Sequence, residues 1–306
     1  MKNLSRITVL LTCLIVLATS CRKDGYDQPN AACILTHSED DLFGYSFDIV
    51  YNNAGDPASI DFAGFPAVME YDNQGRLSKV NFGNAGVRTE FSYSNNTFLP
   101  TAREYIRPDF GGLIAIDSFS YNLLGQRTKM VTHNLLFGGV YIYKYQYDNR
   151  ANLKKVTEAT IINGVESSPS LRFEGLQYDN KYNALSGNQW LKYLFDLSEF
   201  DDYKFLQLSV NNPLDWKWYY SDDYPYYSNV YSYKFTSGLI YNTQGFANTR
   251  NGQYFDTDGI TELGPFIQMN NSSCDPPAPR LNQNPSVFKN RRADKKDIFH
   301  LPYVNK

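Results

Sequence analysis

The chain has 306 residues, 16% of them aromatic and 25 of them Tyr, and carries a formal net charge of −3. So aromatic a composition excludes a disordered chain, and the length allows a core large enough to fold without staples. The charge is uneven: the tail from residue 275 holds seven Lys or Arg against three Asp, which leaves an acidic body and argues against a nucleic-acid partner.

Residues 1–20 read as an export signal, outside the fold. Lys2 and Arg6 make its positive start, and 7–19 is an apolar stretch too short for a comfortable membrane span. The segment ends Leu17-Ala18-Thr19-Ser20-Cys21, which resembles the lipobox of bacterial lipoproteins. The resemblance implies that Cys21 is the lipidated first residue of the mature chain and that a lipid anchor holds the protein to a membrane. An ordinary secretory signal cleaved nearby is the alternative. Residues 21–32 then form a polar linker. Cys13 goes with the signal, which leaves Cys33 and Cys274 in the body. An exported chain meets an oxidising compartment, where such a pair persists as a disulfide. This one would tie the first strand to the last. The alternative is two buried thiols packing as small hydrophobes.

The body, 33–274, is organised by a repeated phrase. Its clearest copy is Tyr71-Asp72-Asn73-Gln74-Gly75-Arg76-Leu77. Asp72 can accept a hydrogen bond from the backbone two residues on, and Gly75 can adopt positive φ without a Cβ clash. A type I turn followed by such a residue is a common hairpin connection. Copies begin at Tyr51 (with Gly55), Tyr121 (with Gly125) and Tyr241 (with Gly245). Phe255-Asp256-Thr257-Asp258-Gly259 has Phe for Tyr, and Tyr93-Ser94-Asn95-Asn96 is a degenerate copy without Gly. Two copies, from Tyr147 and Tyr178, read as one residue longer, with Asn152 and Asn183 where Gly stood. Asn is the next-best left-handed residue. Asp72, Gly75, Gly125 and Gly245 are therefore assigned as structural turn residues. Steps between the leading Tyr residues are 20, 22, 28, 26 and 31 from Tyr51 to Tyr178, enough for two strands and two turns each. Turn signals for the opposite end lie between the copies: Asn84-Ala85-Gly86, Gly111-Gly112, Gly138-Gly139 and Asn163-Gly164.

The strands entering the corners alternate. Tyr45, Phe47, Ile49 and Tyr51 share one face. So do Tyr141, Tyr143, Tyr145 and Tyr147, and Tyr231, Tyr233 and Phe235. These aromatic faces are expected to be the core.

Between Tyr178 and Tyr241 the period breaks for 63 residues. Trp190, Leu191, Leu194, Phe195 and Leu197 lie near helical spacing and predict one short helix over 188–198, a plug for a rolled sheet. Residues 205–210 read as a strand ended by Asn211-Asn212-Pro213. Then comes Trp216-Lys217-Trp218-Tyr219-Tyr220-Ser221-Asp222-Asp223. Aromatic faces beside carboxylates hold sugar rings, by stacking and by hydrogen bonds to hydroxyls. Trp216, Trp218, Tyr220, Asp222 and Asp223 are the candidate ligand-binding residues. A strand packing its aromatics on the sheet is the alternative.

Other chemistry is missing. No nucleotide loop, zinc spacing or nucleophile elbow occurs, and His37, His133 and His300 lie far apart. Asp256-Thr257-Asp258-Gly259 with Glu262 lacks the ligands of a calcium loop. No catalytic residue, metal site or cofactor is assigned. Residues 275–306, Pro-rich and then basic, read as a flexible tail.

Tyr71-Asp72-x-x-Gly75-Arg76-Leu77 resembles the YD-repeat signature of Rhs-type proteins, whose repeats form a spiralling β-sheet. The chain from Cys21 to Cys274 also resembles Bacteroidetes cell-envelope lipoproteins built of such hairpins. The likeness includes Tyr178-Asp179-Asn180-Lys181-Tyr182-Asn183 followed by Ser209-Val210-Asn211-Asn212-Pro213. It implies an all-β envelope lipoprotein and brings no site residues with it. The fold expected is one all-β domain: a long antiparallel meander of repeated hairpins, rolled into a half-barrel or barrel-like sheet, with one short helical insertion. The function expected is a non-enzymatic lipoprotein of the outer membrane, on its periplasmic or outer side, acting as a binding or scaffold module whose ligand, a glycan or an envelope protein, the sequence leaves open. The alternative is a glycan-processing enzyme with carboxylates near 190–227.

Overall fold

The phrases led by Tyr51, Tyr71, Tyr121 and Tyr147 are corners in the computed structural model, which describes residues 34–40, 45–62, 65–83, 86–94, 97–183, 188–194, 205–221, 228–234, 239–241, 247–255 and 262–273. At Asn52, Asp72, Asn122 and Asp148 one side-chain oxygen, Oδ1, accepts the backbone N–H groups of residues i+2 and i+4, each at 2.8–3.0 Å. The third N–H donates to the carbonyl of the same residue, as Gly75 does to Asp72 at 2.9 Å. Such a closure requires the donor to sit at positive φ: +80° at Gly55, +74° at Gly75 and +75° at Gly125. The corner from Tyr147 is not longer than the others. Ala151 takes the left-handed place at φ +65°, which frees Asn152 for another task.

The strands between corners are β1 (Ile34–Asp40), β2 (Tyr45–Tyr51), β3 (Pro57–Phe62), β4 (Phe65–Tyr71), β5 (Leu77–Phe82), β6 (Val87–Tyr93), β7 (Pro100–Arg107), β8 (Gly112–Tyr121), β9 (Arg127–Asn134), β10 (Gly139–Tyr147) and β11 (Leu153–Ile162). There follow β12 (Val165–Glu166), β13 (Ser170–Tyr182), β14 (Asn211–Ser221), β15 (Ser228–Lys234), β16 (Leu239–Tyr241), β17 (Ala247–Phe255) and β18 (Glu262–Ser273). Consecutive strands pair antiparallel from β1 to β11; the ladder continues β11·β13, β13·β14, β14·β15, β15·β17 and β17·β18. The short β12 and β16 pair with β11 and β17. β1 bonds to β2 on one side and to β18 on the other, so the ladder, followed pair by pair, returns to its start. The expected antiparallel meander is the observed one.

A second device recurs, which the sequence pattern did not reveal. The phenols of five leading Tyr residues, Tyr51, Tyr71, Tyr93, Tyr121 and Tyr178, donate to backbone carbonyls one hairpin back. Tyr71 bonds to Pro57 O and Tyr93 to Leu77 O, both at 2.6 Å, and Tyr121 bonds to Pro100 O at 2.9 Å. Tyr51 bonds likewise to Leu35 O and Tyr178 to Leu153 O. Pro57, Leu77, Pro100 and Leu153 are the residues opposite the previous corner's aromatic. These five bonds each staple a hairpin to the one before it. Burial pushes the phenols of Tyr51, Tyr71, Tyr93 and Tyr178 above their ordinary pKa, so they remain donors.

The aromatic faces of β2 and β10 point inward, as expected; the side chains of Tyr45, Tyr231, Tyr233 and Phe235 lie outside the described residues. Phe47, Ile49, Phe91, Phe119 and Tyr145 are in the core, with Tyr51, Tyr71, Tyr93, Tyr143 and Tyr147 packed against it. The helical insertion fills the interior at the corner end. Its helix α1 spans only Leu191–Leu194; the rest of the predicted segment, 195–198, lies outside the described residues. Trp190, Leu191, Tyr193 and Leu194 are buried against the sheet. Trp190 meets Tyr71 and Tyr93 edge-on at centroid distances of 6.2 and 6.5 Å.

The predicted strand over 205–210 is instead a 3₁₀ turn, Leu206–Leu208. β13 and β14 pair with each other and leave no free edge for it. Asn211-Asn212-Pro213 accordingly opens β14 instead of closing a strand. The corner from Tyr178 is split. Tyr178 pairs with Pro213 as Tyr71 pairs with Leu77, and the insertion is spliced into the tip. Asp179 Oδ1 still accepts the N–H of Lys181, but its second donor is Asn212, across the insertion. Asn183 closes the base of the splice by donating to Leu206 O and Ser209 O. Asn152 performs its separate task here: its Oδ1 accepts the N–H of Asn211 at 2.8 Å. Gly245 and the rest of the Tyr241 corner lie outside the described residues, as does 256–261.

Candidate functional site

The side chains marked in sequence divide. Trp216 and Trp218 are buried, 4% and 6% exposed. Trp218 stacks on Phe205 with centroids 5.0 Å apart and meets the edge of Phe173 at 5.9 Å. Their alternating places on β14 face the interior, so these rings serve the core. The Tyr220 side chain, Asp222 and Asp223 lie outside the described residues, as do Cys21, Cys33 and Cys274.

A cavity lies elsewhere, at the end of the rolled sheet opposite the corners. It measures about 530 Å³ and is walled by β7–β11 and β13. Its polar residues stand on the aromatic faces of these strands. Arg103 sits opposite Asp117 in register, Asp117 opposite Thr132, and Thr132 opposite Tyr141. Arg103 Nε and Nη2 donate to Asp117 Oδ2 at 3.0 and 2.6 Å, and Nη1 donates to Tyr193 O at 2.6 Å. Thr132 Oγ1 donates to Asp117 Oδ1 at 2.6 Å. Nearer β13, Arg172 grips Glu158 with Nε and Nη2 at 3.0 and 2.7 Å. Burial pushes the Tyr143 phenol up, and the Glu158 charge and their hydrogen bond add to it.

Aromatic rings complete the wall. Tyr105, Phe110, Phe137, Tyr141 and Tyr143 all line it. The Tyr141 ring lies over Gly139, where a Cβ would come within 3.3 Å of it. Phe110 and Phe137, at neighbouring turns of the rim, are 51% and 82% exposed. Arg103 lies over the Tyr105 ring at 4.8 Å from its centroid, and Arg107 over Phe110 at 4.6 Å.

Sequence reasoning missed this cavity. The available signal was parity. Asp117 shares a strand face with Phe119 and Tyr121, and Glu158 shares one with Val156, so each places a carboxylate on a face otherwise read as core. Among the described residues no group of three or more His, Cys, Asp or Glu is placed to hold a metal ion, and no helix is long and apolar enough to cross a membrane.

No family model matches the chain, and no curated protein matches it. Among solved structures it is similar to a porin-like protein from Bacteroides uniformis ATCC 8492, with TM-score 0.49 and 10% identity over 78% of this chain and 98% of that one. It is also similar to a porin-like protein from Bacteroides vulgatus ATCC 8482, with TM-score 0.46 and 12% identity over 80% of this chain and 100% of that one. A lesser likeness is to TcdB2-TccC3, with TM-score 0.17 and 11% identity over 70% of this chain and 15% of that one.

Proposed function

We propose that the protein is a non-enzymatic outer-membrane lipoprotein that binds a neutral saccharide in the cavity at the rim end of the sheet. The observation that carries this is the state of the cavity's charges. Both of its described carboxylates, Asp117 and Glu158, are already gripped by guanidinium groups. A charged ligand would compete with the Arg103–Asp117 or Arg172–Glu158 pair for its partner; a neutral one need not. What the wall offers instead is aromatic faces for apolar ring faces and a few fixed polar atoms for hydroxyls. The same pairing leaves neither of these two carboxylates to act as acid, base or nucleophile in this cavity; the carboxylates of the hydrolase alternative, near 190–227, are other residues.

Attachment fits the same reading. β1 begins at the corner end, since it runs antiparallel to β2, whose last residue is the corner Tyr51. A lipid on Cys21 would join the domain at that end and leave the cavity rim facing away from the membrane. The export segment with its Lys2, Arg6 and Cys21 supports the location.

Affinity electrophoresis of the mature protein through gels containing neutral glycans tests the proposal. Retardation by at least one glycan is expected, weakened about tenfold or more in Tyr141→Ala and Phe137→Ala, a loss of ~1.4 kcal/mol or more. Unchanged mobility on every neutral glycan, or equal retardation of both variants, overturns it.

A further inference from the structure

We infer that Asn134, at the rim of the cavity between β8 and β10, makes that cavity selective for saccharides bearing an acetyl group, whose carbonyl its Nδ2 would hold. This rests on the saccharide reading and narrows it. The carboxamide of Asn134 is already engaged at one end. Its Oδ1 accepts the backbone N–H groups of Leu136 and Phe137, at 3.1 and 3.0 Å. A backbone N–H can bond only to the oxygen of a carboxamide, so the turn fixes which way the group lies. Asn134 lines the cavity, and with Oδ1 held by the turn, Nδ2 is the polar atom left to face it. Asn134 thus offers the cavity donors only, in one orientation.

On the two ladders Asn134 stands opposite Ala115 on one side and Gly139 on the other. Residues so paired lie about 4.5–5.5 Å apart, within reach of one ligand group. Ala115 presents a methyl. Gly139 presents no side chain, and the Tyr141 ring lies over it, 3.3 Å from where a Cβ would stand. Leu136 and Phe137 continue the wall. The amide is therefore set between a small aliphatic place and an aromatic face. A sugar hydroxyl donates as well as accepts, and beside a donor-only partner with apolar neighbours its own proton finds no acceptor. An acetyl carbonyl only accepts, and the methyl beyond it suits the space beside Ala115 and Leu136. A sugar ring stacked on Tyr141 would carry such a group toward Asn134. An acetamido group and an acetate ester share this chemistry.

Affinity electrophoresis of the mature protein with two pairs of neutral polymers tests the inference. Glycol chitin and hydroxyethylcellulose share a β-1,4 backbone and differ in the acetamido group; acetylated and deacetylated xylan differ in the ester. Binding at least tenfold tighter to the acetylated member is expected in at least one pair, the chitin pair pointing to the acetamido group and the xylan pair to the ester. Asn134→Asp keeps the oxygen the turn needs, as Asp72 and Asp148 supply it elsewhere, and removes the donor. It is expected to bring the ratio within a pair close to one and to leave binding of the unacetylated polymer unchanged. Should it fail to fold, Ala115→Leu, which fills the place of the methyl, is expected to do the same and decides. Equal or absent retardation within both pairs, beside retardation by another neutral glycan, overturns the acetyl assignment and leaves the saccharide reading standing. A preference that survives in folded Asn134→Asp overturns the role of Asn134. No retardation by any neutral glycan overturns the saccharide reading and this inference with it.

Discussion

Arg103 stands directly opposite Asp117 on the β7–β8 ladder, and its Nη2 donates to Asp117 Oδ2 across 2.6 Å with the two side chains only 0% and 2% exposed. Removing one member of such a pair leaves a buried charge without compensation, whereas removing both leaves only the lesser cost of the bonds lost to Tyr193 O and Thr132 Oγ1. Arg103→Met is therefore expected to cost about 3–5 kcal/mol in equilibrium urea unfolding. The double variant Arg103→Met with Asp117→Leu should recover most of that loss. A double variant as unstable as the single one would show that the pair is not what fixes this wall.

Gly175 lies beneath the Tyr178 phenol on its way to Leu153 O, and a Cβ there would overlap both oxygens. Gly175→Ala should cost about 1–3 kcal/mol through overpacking. Tyr178→Phe shortens the ring and makes room, at a cost of about 1–3 kcal/mol for the unpaired carbonyl. The two losses should be less than additive in a double-mutant cycle, since removing the phenol oxygen relieves the closest part of the overlap that Ala introduces, while the approach to Leu153 O remains. Full additivity would place the strain somewhere else.

Ala151 holds φ +65°, where the corners at Tyr51, Tyr71 and Tyr121 use Gly. The left-handed cost of an L-residue, ~1–2 kcal/mol, outweighs the extra chain entropy that Gly loses on folding, ~0.4–1 kcal/mol. Ala151→Gly is expected to stabilise the protein by about 0.5–1 kcal/mol, read as a raised urea midpoint with an unchanged m-value. A lowered midpoint would contradict this account of the corner.

Ile34 pairs with Ser273 and Leu35 with Ser272 on the β1–β18 ladder. Cys33 and Cys274 are the next residues in sequence beyond that pair. We propose that they form a disulfide after export, two thiols giving up two protons and two electrons to a dithiol oxidase of the envelope. Mass spectrometry of a non-reduced digest should yield one linked peptide pair, 2 Da lighter than the sum of its thiols. Two free alkylatable cysteines in protein taken from the envelope would refute it.

The corners were legible because their logic is local. Asp72 finds both of its N–H donors within four residues, and Gly75 needs only its own φ. The partner of each Tyr phenol was not, since Tyr93 reaches Leu77 and Tyr178 reaches Leu153 through register and not through sequence pattern. Asn152 misled for a related reason. Its place in the phrase suggested a left-handed turn residue, and its real partner is Asn211, 59 residues on. The indoles of Trp216 and Trp218 resembled a ligand platform because nothing local distinguishes an aromatic strand that faces solvent from one that faces Phe205. The cavity brings together strands from several hairpins, so its lining follows from the pairing order, which no single window of sequence contains.

Every phenol staple described here points backward along the chain, from Tyr51 to Leu35, Tyr71 to Pro57, Tyr93 to Leu77, Tyr121 to Pro100 and Tyr178 to Leu153. A polypeptide threading out of a membrane pore amino end first would therefore find each lock's receptor already in place. Assembly could proceed hairpin by hairpin with low contact order, and only the seam of β1 with β18 would have to wait for the far end of the molecule to arrive.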